Sequence, residues 1–155
     1  MARTDVRTAR ALVGGQFLLL GLLVLLPRGE DWPVPPVLAG AFVVTGAAGL
    51  AVMVVGATAL GRGLTAIPLP NARAQLRTGG LYRFVRHPIY AGLLLLAGSI
   101  AGASGSWAQI LVLGLLVLLL AGKARWEERR LAERFEGYAA YAARTPQFLP
   151  FRLRP

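Results

Sequence analysis

Four apolar runs separated by short polar or charged stretches organise this chain: about Ala11–Leu26, Pro36–Leu60, Ile89–Ser104 and Trp107–Gly122. None carries the one-sided charge of an amphipathic helix on a soluble core. A membrane span needs roughly 17–25 residues. The run over residues 36–60 meets that length, and the runs over 11–26, 89–104 and 107–122 need flanking residues or a locally thin bilayer. The pattern therefore predicts an all-α integral membrane protein with four transmembrane helices. The tight turn near Gly102–Ser106 makes the third and fourth spans an antiparallel hairpin. Past Gly122 the apolar positions Leu131, Phe135 and Tyr138 recur at helical spacing, with Trp126 roughly one turn earlier and charges between them. That predicts an amphipathic cytoplasmic helix over residues 123–145, growing out of the fourth span. It stops near Pro146, and Phe148-Leu149-Pro150-Phe151 is expected to fold back on the membrane.

The connections differ in character. The first, Pro27 to Pro35, is short and proline-rich, and Trp32 suits an interfacial anchor. The loop over residues 61–88 is the longest; Pro68 and Pro70 bar a continuous helix and Gly79-Gly80 marks a turn. Gly40, Gly46, Ala47, Ala48, Gly49 and Gly56 make the second run rich in small side chains, and Gly98-x-x-x-Gly102 lies in the third; both favour close helix approach.

Length and charge sharpen this. The 155 residues make one domain, residues 1–155, and 55% are hydrophobic, with a mean hydropathy of +0.57, too apolar for an ordinary soluble domain. The net charge of +10 is uneven. Arg3, Arg7 and Arg10 precede the first run, five arginines lie between the second and third, and a basic cluster from Lys123 to Arg154 follows the fourth. The positive-inside rule then puts both termini and the long loop in the cytoplasm. Because every basic cluster flanks a span, topology and anionic membrane lipids account for the charge, and a nucleic-acid partner is not expected. No cysteine and a single histidine leave no thiolate chemistry and no expected metal site. The basic start followed by an apolar run resembles a signal peptide, but Leu26-Pro27-Arg28-Gly29-Glu30 lacks a small-x-small cleavage pattern, so an uncleaved first span is expected.

The hairpin has a chemical consequence. Its two spans are nearly equal in length, so the start of one lies level with the end of the other. His87–Tyr90 is thereby expected beside Lys123–Glu128, gathering His87, Arg83, Arg86, tyrosines and two glutamates at one interface between water and lipid. Pro88 suits the first turn of a helix, whose free amides favour anionic groups. Glu127 or Glu128 can accept hydrogen bonds from ligand hydroxyls or an amine, tyrosines offer an apolar face and a donor, and an arginine can hold a carboxylate or phosphate. The plainer alternative is that the arginines are topology signals, the tyrosines belt residues, and Glu128 a partner of Arg125 or Arg129.

The segment Gly80-x-Tyr82-Arg83-x-x-Arg86-His87-Pro88-x-Tyr90-x-Gly92 resembles the signature of the isoprenylcysteine carboxyl methyltransferase family and its bacterial members. So do Glu127-Glu128-x-x-Leu131-x-x-x-Phe135, Tyr138-x-x-Tyr141 and Pro146, and upstream Leu60-Gly61-Arg62 with Pro68 and Pro70. The likeness runs from about Leu60 to Phe151. It implies an integral-membrane enzyme of a bacterial cytoplasmic membrane, its site facing the cytoplasm, that transfers methyl from S-adenosylmethionine to a lipophilic acceptor entering from the bilayer, in the first instance a carboxylate. It makes Leu81, Tyr82, His87, Pro88, Tyr90, Glu127 and Glu128 cofactor contacts. It gives Arg134 and Glu128 catalytic roles and puts Arg134 and Tyr138 on the acceptor side. One departure stands out: the family's Phe-Gly-x-x-Tyr reads here as Phe135-Glu136-Gly137-Tyr138, one residue shorter. A carboxylate acceptor arrives ionised, whereas an amine or thiol needs a base. The alternatives are a phospholipid amine or thiol methyltransferase, an NADPH-dependent sterol-type membrane reductase, and a non-enzymatic membrane scaffold.

Overall fold

The computed structural model describes residues 3–63 and 75–150. Five helices account for most of them: α1 (Arg3–Leu25), α2 (Pro36–Leu60), α3 (Pro88–Gly102), α4 (Trp107–Arg134) and α5 (Tyr138–Arg144). Short 3-10 turns lie at Gly61–Gly63 and Gly80–Arg83, and no strand occurs among the described residues. Three helices, α1, α2 and α4, are long and apolar enough to cross a membrane, and α3 is a shorter apolar helix of 15 residues. The segment with Pro68 and Pro70, and Phe151 of the expected fold-back, lie outside the described residues.

Helix limits depart from the hydropathy reading in two places. The first helix starts at Arg3 rather than near Ala11. Its polar opening turns have something to pack on: Ala9 is buried with Trp126, and Asp5 forms an ion pair with Arg130, whose guanidinium stacks 3.3 Å from the Trp126 ring. Asp5 in the first turn also complements the helix dipole. The single amphipathic helix expected over 123–145 is a correction. Instead α4 runs on to Arg134, and the backbone leaves the helix at Phe135 (φ −122°, ψ 109°). A separate short helix follows Gly137. The shortened Phe135–Tyr138 spacing is this break.

Small residues let α3 and α2 meet backbone to backbone. A Cβ on Gly49 would come 2.6 Å from the Gly92 carbonyl oxygen, and one on Gly92 would come 2.5 Å from that of Gly49. Gly46 faces Ser99, and Gly56 faces Pro88 and Ile89. In lipid, helices gain little by hiding apolar surface from one another, so close van der Waals contact of this kind carries the association. Of the Gly98–Gly102 pair only the second does so: Gly102 abuts the Phe42 ring, while Gly98 faces open space. Around α3 the packed interior is Leu23, Leu93, Ala97, Ala101, Val112, Leu116 and Leu120.

The end of the bundle away from the arginine clusters is closed by its two short loops. Gly29 and Asp31 donate backbone N–H groups to the carbonyls of Ser104 and Gly105, both at 2.9 Å. Gly105 holds φ +66° in that turn. Asp31 Oδ2 accepts from the Trp107 N–H at 2.8 Å, satisfying one free amide at the start of α4. Trp32, expected as an anchor, donates Nε1–H to Gly102 O at 3.3 Å and packs edge-on to Trp107.

The glycine contacts are directly testable. Gly92→Leu is expected to lower stability by about 1–3 kcal/mol through overpacking against α2. Gly98→Ala, which meets nothing, is expected to leave stability unchanged or slightly higher. Thermal unfolding of the detergent-purified variants checks both, and equal melting temperatures would contradict the packing assigned to Gly92.

Candidate active site at the charged end of the bundle

Helix α3 spans about 22 Å at 1.5 Å per residue, so its first turn lies level with the point, one helix length past Trp107, where the apolar stretch of α4 gives way to Lys123. The remainder of α4, from Lys123 to Arg134, is its charged extension. The His87 backbone (φ −126°, ψ 66°) is not helical, and Pro88 begins α3. Proline fits there because the first helical amide has no carbonyl to meet. The turn at Gly80–Arg83 starts on a glycine at φ +60°, and the Leu81 carbonyl accepts from the Phe84 and Val85 N–H groups. This presents Tyr82 inward, where its hydroxyl donates to Gly56 O at 3.2 Å and its carbonyl accepts from the Tyr141 hydroxyl at 2.6 Å. The loop is thereby pinned to both α2 and α5.

Two polar layers meet where α3 begins. The outer one centres on Glu128. Its Oε1 accepts from Arg86 Nε at 2.9 Å and Gln147 Nε2 at 3.1 Å, and lies 3.0 Å from His87 Nε2; its Oε2 accepts from Arg86 Nη2 at 3.2 Å. A carboxylate only accepts, so Nε2 is the protonated ring nitrogen. Arg86 also donates from Nη1 to the Ala142 and Thr145 carbonyls at 3.0 and 2.5 Å. Backbone N–H groups of Arg86 and His87 donate to Pro146 O and Gln147 O. The segment expected to fold back on the membrane therefore begins as a strap laid along residues 86–87, with Phe148 tilted against the His87 ring, 6.0 Å between centroids.

The inner layer centres on Glu127. The Tyr90 hydroxyl donates to its Oε2 at 2.9 Å, and among the described residues its Oε1 carries no hydrogen bond. The Tyr90 ring lies parallel to that of His87, 5.2 Å between centroids. Tyr138 is buried at 4% exposure, and its hydroxyl has no partner among the described residues. A buried hydroxyl without a partner costs free energy that a ligand acceptor atom would recover.

Electrostatics follow the geometry. Burial pushes the Glu128 carboxyl up, but the hydrogen bonds and charges of His87 and Arg86 outweigh it and hold it at about 2, against an ordinary 4.5. Burial raises the Tyr82 hydroxyl, with Glu127 and then Tyr141 adding to it. Burial likewise raises Tyr138, Glu128 adding and Arg86 opposing. Tyr141 is pushed up to about 12, by burial first, with Arg86 opposing and Glu128 adding. These phenols keep their protons at neutral pH and remain hydrogen-bond donors.

Of the residues singled out in the sequence, Tyr82, His87, Pro88, Tyr90, Glu127, Glu128 and Tyr138 gather here, and Leu81 lies in the turn that presents Tyr82. Arg134 does not join the inner layers: it is exposed at the last turn of α4 with its guanidinium 5.7 Å over the Phe135 ring, roughly 9 Å along the helix from Glu128. Glu128 pairs with Arg86 rather than with Arg125 or Arg129. Sequence reasoning left Arg86, Gln147 and Lys123 off the list of site residues. Arg86 adjoins the histidine and was legible as part of the cluster, whereas nothing marks Gln147. Among the described residues no group of three or more His, Asp or Glu side chains is placed to hold a metal. A cleft of about 410 Å³ lined by Arg28, Trp32, Val34 and Ser104 lies at the opposite end of the bundle, away from this chemistry.

The Glu128 arrangement predicts an acid limb. Its folded value is depressed, so its contribution is complete above pH 4.5 and is lost as pH falls from there toward 2. Glu128→Gln is expected to be less stable at pH 7 and to show a flatter loss across that window. Arg86→Ala, which strands the carboxylate, is expected to cost about 3–5 kcal/mol. Thermal unfolding against pH checks both; an unchanged acid limb in Glu128→Gln would overturn the assignment.

A family model described as phospholipid methyltransferase matches residues 37–137. The "Cobalt-zinc-cadmium resistance protein CzcN" of Cupriavidus metallidurans is 40% identical over 76 residues, which is 48% of this chain and 35% of that protein. The chain thus aligns with about a third of that relative's length. No solved structure matches. The matched stretch runs from α2 through both glutamates to Gly137, taking in the His87-Pro88 segment, and the chain belongs to the phospholipid methyltransferase family.

Proposed function

We propose that the chain is an integral-membrane methyltransferase that binds S-adenosylmethionine at the Tyr90–Glu127 edge and methylates a lipophilic acceptor. The observation that carries this is the division of labour between the two glutamates. Glu128 is spent on Arg86, His87 and Gln147, while among the described residues Glu127 leaves one oxygen without a hydrogen bond, open to a ligand donor. In this reading Glu127 accepts from ribose hydroxyls or the amine of the cofactor, and Tyr138 brings an unspent hydroxyl. The first amides of α3 after His87-Pro88 face an anionic group, and Leu81 and Tyr82 form the wall. When bound, the cofactor supplies a sulfonium methyl that is already electrophilic. The protein's share is to orient, to exclude water and to hold the acceptor in line.

Glu128 acts here by holding His87 and Arg86 in place. Arg134, exposed at the end of α4, belongs to the acceptor side together with Tyr138. The acceptor in this reading is a carboxylate, which arrives ionised and needs no base, in keeping with the resemblance to the isoprenylcysteine carboxyl methyltransferases. Four spans, with α3 the shortest, put both termini and the site in the cytoplasm, in agreement with where the arginines fall.

S-adenosylhomocysteine is expected to bind the detergent-purified protein saturably in calorimetry, with NADPH giving no signal. Glu127→Ala is expected to lose that binding. Wild-type protein that is folded yet binds neither ligand would overturn the cofactor reading, and NADPH binding would redirect it to the reductases. For topology, green fluorescent protein fused after Arg144 is expected to fluoresce and alkaline phosphatase inserted at Gly105 to be active; the reverse pattern would invert the orientation.

A further inference from the structure

Sixteen of the seventeen basic residues are arginines, and the one lysine, Lys123, is the most buried of the basic residues the structure describes. A lysine at the end of an apolar stretch ordinarily lays its stem along lipid and lifts its ammonium to water. Lys123 is instead 4% exposed. Its Nζ donates to Gln16 Oε1 of α1 at 2.6 Å and lies 5.0 Å from the centroid of the Tyr90 ring. It precedes Glu127 by one helical turn, within electrostatic reach of that carboxylate. Gln16 is itself a polar residue in the apolar part of α1, costly there unless partnered.

Among the described residues, Gln16 of α1, Tyr90 of α3 and Glu127 on the same helix are the polar groups placed against this ammonium. The ring face attracts the cation, and the same ring's hydroxyl donates to Glu127. We propose that Lys123, aimed by Gln16, is a positioning residue that sets the Tyr90–Glu127 pair from the membrane side. It fixes the ring from beneath and balances the carboxylate that the ligand is to meet. This rests on the reading that Glu127 takes the cofactor, but the positioning itself is measurable without any ligand.

As the sole lysine, Lys123 gives a single side-chain ε-carbon signal in ¹³C-lysine-labelled protein. Removing the carboxylate in Glu127→Gln is expected to move the pH midpoint of that signal down by about one pH unit. Gln16→Leu is expected to perturb the signal in a protein that still folds. An unmoved midpoint in Glu127→Gln would overturn the proposal whether or not the protein binds S-adenosylhomocysteine. With that ligand, Lys123→Gln is expected to weaken binding about tenfold; Glu127→Gln, which unlike the alanine variant keeps one acceptor oxygen, is expected to retain weakened but measurable binding and, as a background, to absorb the loss to within about twofold. Lys123→Arg is expected to retain most of the affinity. An equal loss in both backgrounds would mean that Lys123 only packs α1 on α4, and would also overturn the proposal. A midpoint shift between wild type and Glu127→Gln, with a wild-type protein that binds no ligand, would overturn the cofactor reading and leave the positioning established.

Discussion

The pair formed by Arg86 and Glu128 is the interaction on which the charged end of the molecule depends. One guanidinium meets both carboxylate oxygens and the carbonyls of Ala142 and Thr145, while the same residue's backbone N–H meets Pro146. The entrance to α3, the extension of α4, the end of α5 and the strap beyond it are all held by it. A lysine could not replace this arginine, because the task needs a planar fork with several donors in fixed directions. Both side chains are about 15% exposed, so each has lost much of its hydration. A pair this buried adds little net stability unless its remaining hydrogen-bonding groups are satisfied. Here His87 and Gln147 complete the carboxylate and two carbonyls complete the guanidinium. What the pair secures is a single arrangement.

Adjacent residues on an α-helix project roughly 100° apart, and that angle separates the roles of Glu127 and Glu128. One position faces Arg86 and the strap, and the next faces Tyr90 and Lys123. A single glutamate could not serve both. The histidine links the layers: its ring nitrogen reaches Glu128 while its face lies parallel to Tyr90, which reaches Glu127. A disturbance of the outer clamp is therefore transmitted to the inner pair through one stacked contact.

Much of this was legible in the sequence. The apolar runs locate the helices, and the nearly equal lengths of the third and fourth bring His87–Tyr90 beside Lys123–Glu128 without further information. The small residues of α2 pointed to close packing, and Gly46, Gly49 and Gly56 supply it. Three things were not legible. Hydropathy ends a helix where polarity begins, so it missed the first turns of α1, which stay helical because Asp5 and Ala9 pack on Arg130 and Trp126. Helical periodicity carried across Phe135 because a break of three residues costs little register, so one helix was expected where there are two. Pair choice among many arginines is a tertiary matter, and local spacing offered Arg125 and Arg129 to a glutamate that meets Arg86.

The family match ends at Gly137, and the structure gives that limit a physical sense. Helices α2 to α4 contain the glycine contacts, the His87-Pro88 entrance and both glutamates, but they do not complete either layer. The outer layer is closed from the C-terminal side by Ala142, Thr145, Pro146 and Gln147, and the inner layer from the N-terminal side by Gln16. Those supports act mostly through backbone carbonyls, with two neutral side-chain amides, and carbonyl contacts constrain side-chain identity weakly. Sequence outside the matched stretch can therefore drift while the geometry it holds persists. The exceptions are Gln16 and Gln147, whose side chains make the contacts themselves. Their pairings, Gln16 with the chain's one lysine and Gln147 with Glu128, are the places where the support for the site is written in side chains rather than in backbone.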